Sequence, residues 1–327
     1  MVLPECFRHL DGVPLVLIDD GNEDRILVFG IQNAIRHLTT ATCLLMDGTF
    51  KVRPLIFDQL FIIYTVLEGH VIPMLWCLMP NKAEETYMRL FKLIQDLLNQ
   101  ANLALNAAYV MDDFERASRN AFQQVFGVQI RIQCCHFHFS QCIWRAVQHH
   151  GFAAVYRQHR VVSNWVRSII GMAYLPEAEI QGMWQQLLLI KPGSVPDGFC
   201  GYITNTWVGN FPALPRFSTS LWCVHPQVAN GELRCNNHAE GYNSRLKEFG
   251  LHPNPWLFIQ KVMGEVRYFR FLRIQIEGGV AGPARKTTKQ IAREDSVQRL
   301  TVQYARHGIT REQLCRQIGY ATFKDTL

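Results

Sequence analysis

Three apolar runs constrain this chain more than any other feature: "TCLLMD" (Thr42 to Asp47), "DQLFIIYTVLE" (Asp58 to Glu68) and "HVIPMLWCLMP" (His70 to Pro80). Each is rich in branched and aromatic residues, is bounded by Gly or Pro, and has the length of a strand rather than a helix. Their short connections predict an antiparallel meander. The next segment, "AEETYMRLFKLIQDLLNQ" (Ala83 to Gln100), changes period and puts Tyr87, Leu90, Phe91, Ile94, Leu97 and Leu98 on one helical face. "NAAYVMDD" (Asn106 to Asp113) then reads as a strand running into the helix "FERASRNAFQQVFG", closed by Gly127. "VQIRIQC" (Val128 to Cys134) reads as a further strand and "HFHFSQCIWRAVQHH" as a helix. Upstream, "ILVF" (Ile26 to Phe29) predicts a short strand and "IQNAIRHLTT" a short helix. Strands followed by alternating helix and strand predict the α/β class, a mixed sheet flanked by helices.

Beyond residue 150 the pattern turns helical, as in "RVVSNWVRSIIGMAYL" and "EAEIQGMWQQLLLI". The chain therefore divides into a strand and helix lead-in (1–41), the first part of a core (42–150), a mainly helical insertion (151–230), the last core helices (231–277) and a basic linker with a helical tail (278–327). "FPALPRFSTSLWCVHP" reads mostly as loop, and "NNHAEGYNSRLKEFG" and "PWLFIQKVMGEVRYFRFLRIQ" as helices.

The chain has 327 residues, of which 48% are hydrophobic, enough for a substantial core. Its net charge of +6 permits a polyanionic partner without requiring one. Asp58, Glu68 and His70 interrupt the longest apolar stretch, so no membrane span is expected. The start, "MVLPECFRHLDG", lacks the basic flank and apolar centre of a signal peptide, which predicts an intracellular protein with mostly reduced cysteines.

Asp47 and Asp113 each end a predicted strand. Were those strands neighbours, the two carboxylates would converge at the rim of the sheet, where hard divalent cations find oxygen ligands. Each also has a plainer reading. Asp47-Gly48 is a hairpin signal, and Asp112 or Asp113 before "FERA" is suited to cap a helix. Spacing alone does not decide between them.

The surrounding residues favour the first reading. "MDGTFKVRPLIFDQLFIIYTVLEGHVIPMLWCLMPNKAEETYMRLF" resembles the opening of the transposase domain of Mutator-like elements, the MULE family. "VMDDFERASRNAFQQVFG" resembles the segment carrying that family's second catalytic aspartate, which falls on Asp113. "IQCCHFHFSQCIWR" resembles its Cys-x-x-His segment, matched by Cys135 and His138, and "RCNNHAEGYNSRLK" resembles the segment bearing the last acid, Glu240. The four blocks occur in order between about Ile26 and Lys247. The resemblance implies an RNase H-like fold and a DDE triad, Asp47, Asp113 and Glu240, holding two Mg²⁺ or Mn²⁺ ions. It also implies double-stranded DNA as partner, both element ends and target, with cleavage and strand transfer as the reaction. A homo-oligomer in the nucleus is the corresponding expectation. Two residues depart from the family pattern: Cys235 stands for a Thr, and Asn243 for a His three residues after the last acid.

Other candidates are weaker. Cys135 and His138, with Cys134, His136 and Cys142 nearby, have metal-ligand spacing, but four zinc ligands are not in evidence, and a polar brace for the helix is favoured. Trp165, Trp184, Trp207 and Trp222 are aromatic candidates for stacking on bases, although core positions suit most of them. Trp222, in a predicted loop before Glu240, is the best of these. Arg234, Arg245 and Lys247 flank the last acid and are candidate phosphate contacts. Arg285, Lys286, Lys289 and Arg293 make the densest basic stretch. The 46 residues before Asp47 hold no Cys/His finger spacing, so recognition of particular DNA ends is expected to be reduced or supplied in trans. The competing reading is a truncated or host-retained derivative that binds DNA or protein without catalysis.

Overall fold

The structure, a computed structural model, describes residues 2–30, 32–210 and 212–323, with side chains undescribed at 32–34, 238 and 240. The chain forms two compact units, one of residues 1–132 and 236–284, the other of 133–235 and 285–327. Among the described residues no helix is long and apolar enough to cross a membrane.

A seven-stranded mixed sheet is laid down in chain order as β1 Val16–Asp19, β2 Leu27–Phe29, β3 Cys43–Thr49, β4 Gln59–Leu67, β5 His70–Met79, β6 Tyr109–Asp112 and β7 Arg131–Cys134. Its spatial order is β1-β2-β5-β4-β3-β6-β7. A two-residue hairpin, His9–Leu10 with Val13–Pro14, stands apart from it. The expected meander is present: β3, β4 and β5 are antiparallel, and Glu68 and Gly69, both left-handed (φ 49° and 76°), make the tight turn between β4 and β5. Pro73 is tolerated within β5 because it lies past Trp76, where β2 stops pairing, and beside a register shift in β4. On its other side β3 pairs with β6 in parallel, the geometry reached through a helical crossover. Such a mixed sheet with helices on it is consistent with an RNase H-like fold.

Cross-strand partners show what covers each face. Phe61, opposite Gly48, meets Tyr87 and Phe91 of α2 (Glu84–Gln100) edge-on. Phe91 in turn packs on Phe122 and Phe126 of α3 (Arg116–Phe126). On the opposite face, Phe29 lies beside Trp76 and packs on Phe258 of α12 (Pro255–Glu277). The preceding helix, α11 (Asn237–Arg245), contacts that same face through Trp76, whose indole N–H donates to the Tyr242 hydroxyl at 2.9 Å. A short helix α1 (Gln32–Thr40) precedes β3. Every one of these apolar strand residues is buried.

The second unit is helical: α4 His136–His149, α5 Ala153–Gln158, α6 Arg160–Gly171, α7 Glu177–Leu189, α8 Asp197–Ile203, α9 Thr219–Trp222, α10 His225–Asn230, α13 Thr288–Ala305 and α14 Arg311–Thr322. Its core is aromatic. Trp222 stacks on Phe139 (4.6 Å between centroids, 8° between planes), and Trp207 meets both edge-on. The tail helices begin at Thr287 and Thr310, each closing a capping box with a Gln three residues on. α14 crosses α6 at glycines. A Cβ on Gly171 would lie 1.9 Å from the Cys315 carbonyl oxygen, and one on Gly319 2.2 Å from that of Arg167. Only residues without side chains let two helix backbones come this close.

Candidate active site

The Asp-Gly dipeptide at 47–48 is not a turn. β3 continues through it to Thr49, with Asp47 opposite Ile62 and Gly48 opposite Phe61. Gly48 is needed for another reason: a Cβ there would lie 2.5 Å from Nε2 of Gln59, a fully buried side chain that crosses the strand at this point. That Nε2 donates to the Tyr87 hydroxyl at 2.9 Å.

The register of β3 on β6 places the two aspartates. Cys43, Leu44 and Leu45 stand opposite Tyr109, Val110 and Met111. Two residues further along each strand come Asp47 and Asp113, level with one another at the carboxyl ends of adjacent parallel strands. Asp47 faces α11, whose Asn243 it meets, and Asp113 follows the last residue of β6. Asp112 takes the other face. It is buried, accepts the Asp113 backbone N–H at 2.8 Å and lies near Ser118 of α3. Burial, reinforced by the charge of Asp113, holds its carboxyl well above the usual range. Asp112 thus belongs to the junction of sheet and helix, and Asp113 to the rim.

α11 adds the third side of the site. Asn243 donates from Nδ2 to Oδ2 of Asp47 at 2.5 Å, and its Oδ1 accepts from the Tyr64 hydroxyl at 3.3 Å. Tyr64 is itself wedged edge-on against Tyr242 (5.8 Å, 85°), and burial together with the nearby Asp47 charge pushes its phenol well up. Glu240 lies three residues before Asn243 on the same helix, positions that share a helical face. Its side chain is outside the described residues. Among the described residues no group of three His, Cys, Asp or Glu stands ready to hold a metal ion.

A second layer surrounds Asp113. Burial pushes the Glu115 carboxyl up and the charge of Asp113 adds to this, while Lys82 and a hydrogen bond from Tyr87 oppose it. Gln59, Tyr87 and Glu115 therefore form one polar chain beneath the rim. The Lys82 ammonium also sits 3.5 Å from the centre of the Phe50 ring. Sequence reasoning passed over Lys82, Glu115, Gln59 and Tyr64, although all four lie inside the segments quoted above and the first three stand next to a strand or helix end.

The flanking candidates fare differently. Trp222 is wholly buried, its indole N–H given to the Trp207 carbonyl at 3.1 Å, so its rings are taken by core partners and offer no face to a base. Trp165, Trp184 and Trp207 are likewise buried. Arg245 is bound to α12, paired with Glu265 and lying 5.1 Å from the rings of Tyr242 and Tyr268. Arg234 belongs to the helical unit, its guanidinium 5.9 Å from the Tyr174 ring. Lys247 is exposed. Cys135 is buried at the N-cap of α4, and His138 lies half-buried in that helix's first turn. Next to them, burial and the charge of Arg234 lower His136 to about 3.

No curated protein matches the chain. The family model of the MULE transposase domain matches residues 43–142, a segment that holds Asp47, Asp113, Cys135 and His138 and stops short of Glu240. That match points to a transposase-related function and, in general terms, to the transposase and nuclease class of enzymes.

Proposed function

We propose that this chain is the catalytic core of a DDE-type DNA transposase, cutting phosphodiester bonds at the ends of an element and joining the freed 3′ ends to target DNA. The observation that carries this reading is the parallel register of β3 and β6, which brings Asp47 and Asp113 level at one rim beneath the helix that bears Glu240. The donor set fits Mg²⁺ or Mn²⁺, since these residues offer hard carboxylate oxygens and no thiolate. Two such ions would activate the attacking oxygen and stabilise the leaving one in an in-line displacement at phosphorus.

The chain's own residues then have distinct tasks. Asp47 is held by Asn243 from α11, and Asp113 by the end of β6. Gln59, Tyr87 and Glu115 brace the rim from below, leaving the Lys82 ammonium as a positive group for a DNA phosphate. In the first step water attacks phosphorus and the 3′ oxygen leaves with the DNA end. In the second that 3′-hydroxyl attacks a target phosphodiester, so bonds made and broken balance without an external energy source. Two ends must be held together, which makes a homo-oligomer the working assembly, and a DNA substrate places the protein in the nucleus.

The test is incubation of the purified chain with labelled duplex carrying the terminal repeats that flank its coding region, in Mg²⁺ or Mn²⁺. Nicking that disappears in Asp113→Asn supports the proposal. Equal nicking by Asp113→Asn, or none by the unmodified chain, refutes it.

A further inference from the structure

We infer that Asn243 is a positioning residue for Asp47, an uncharged clamp that fixes the orientation of this carboxylate and so sets how tightly the rim holds a divalent cation. The inference rests on the reading of Asp47 as a metal ligand and adds the group that aims it.

The direction of its hydrogen bonds fixes which way the Asn243 amide points. The two ends of a primary amide differ, one donating and one accepting, and only its partners decide which way it points. Here the Tyr64 hydroxyl donates to Oδ1 at 3.3 Å, leaving Nδ2 to face Asp47 Oδ2 at 2.5 Å. A carboxylate cannot donate to the amide, so the reverse orientation would set two acceptors against each other. Tyr64 is fully buried, locked against Tyr242, and Tyr242 is fixed by the Trp76 indole. The relay from β5 through α11 to Asp47 therefore has little freedom at any joint.

The clamp occupies one oxygen of Asp47 with a neutral donor. A cationic donor in this place would compete with a metal ion for the carboxylate, whereas an amide orients the group without cancelling its charge. Outer partners of ligating groups act in this manner, and their removal typically weakens metal affinity about 10- to 100-fold. By its resemblance to the MULE family the chain would carry His at this position, and both side chains can present an N–H to a carboxylate. The substitution keeps the donor.

The test measures Mn²⁺ binding by electron paramagnetic resonance on the full chain, with thermal unfolding in parallel. Asn243→Ala is expected to bind Mn²⁺ about 10-fold more weakly while its unfolding midpoint stays close to that of the unmodified chain, and Asn243→His is expected to recover most of the affinity. Tyr64→Phe, which keeps the ring and removes the hydroxyl that orients the amide, should weaken binding in the same direction. If Asn243→Ala binds Mn²⁺ as tightly as the unmodified chain while Asp47→Asn loses it, the clamp is refuted and the metal site stands. If Asp47→Asn also leaves binding unchanged, the metal-site reading falls and the clamp with it. Weak binding by Asn243→His at an unchanged unfolding midpoint likewise overturns the role given to the donor.

Discussion

Gly171→Ala separates local propensity from tertiary packing. Gly171 ends α6 and Gly319 lies within α14, and in an exposed helix replacing Gly by Ala stabilises by about 1 kcal/mol. At Gly171 the new Cβ would stand 1.9 Å from the Cys315 carbonyl oxygen and 2.7 Å from its Cα. Those are backbone atoms that no rotamer change can move. To reach the 3.4 Å of ordinary contact the helices must part by about 1.5 Å. A gap of roughly 0.5–1 Å already forfeits a quarter to a half of each dispersion contact, and α14 rests on buried Leu314, Cys315 and Ile318. Overpacking of this kind costs roughly 1–3 kcal/mol and occasionally more. Adding the loosened interface and subtracting the propensity gain gives a net loss of about 2–4 kcal/mol. Urea unfolding followed by tryptophan fluorescence suits the measurement, because Trp144, Trp165, Trp184, Trp207 and Trp222 all lie in the helical unit. With a slope of roughly 2 kcal/mol per molar, the midpoint should fall by about 1–2 M. Gly201→Ala on α8 is the control, since a Cβ there meets nothing within 4 Å, and it should raise stability slightly. If Gly171→Ala behaves like Gly201→Ala, the close crossing of α6 and α14 is wrong. Gly319→Ala should act as Gly171→Ala does, and the double variant should lose less than the sum, because one retreat relieves both clashes.

Trp222→Ala should destabilise the helical unit by about 3–5 kcal/mol, read as a lower unfolding midpoint, and a variant that stays fully stable but loses DNA affinity would restore the stacking role denied to it above. Lys247→Ala should leave folding intact and reduce the salt dependence of DNA binding by about one phosphate contact; an unchanged salt slope would remove Lys247 from the interface. His136 is lowered to about 3 by burial and by Arg234, so below its ordinary value near 6.5 the unfolded chain takes up a proton that the folded chain refuses. Stability is therefore complete above pH 6.5 and is lost as pH falls towards 3, by up to about 1.4 kcal/mol per pH unit. Denaturation midpoints at pH 7 and pH 5 should show this drop, and His136→Phe should flatten it; an equal drop in that variant would assign the acid sensitivity elsewhere.

What the sequence made legible was local. The meander, α2 and α12 carry their period within a single segment, and Gly127 with its positive φ closes α3 where a glycine stop predicts. Asp47-Gly48 misleads for the same reason: the dipeptide signals a hairpin, yet the strand runs on, paired with β4 as far as Thr49. β1 is only four residues long, too short to show alternation, so the sequence does not reveal it. Burial was the least readable property. Trp222 ends a four-residue helix in a Pro-rich passage that looks like loop, and its burial and its stacking on Phe139 show it to be core. The capping boxes at Thr287 and Thr310 were present in the tail as Thr-x-x-Gln signals. Its seat on α6 was not, since Gly171 and Gly319 lie far apart in sequence and neither glycine means anything without the other.

The same distinction applies to the rim. Where Asp47 and Asp113 stand is dictated by backbone pairing, and it would survive most changes of side chain nearby. How Asp47 points depends on Asn243, which lies 196 residues away and donates to it from another element. Position is thus built into the cooperative core of the sheet, whereas orientation depends on the seating of α11, a nine-residue helix held by Trp76, Tyr64 and the Arg245–Glu265 pair. Fold stability and site geometry should therefore come apart. A change that loosens α11 without touching β3 or β6 leaves the sheet standing and the two aspartates level, and still removes the donor that aims one of them.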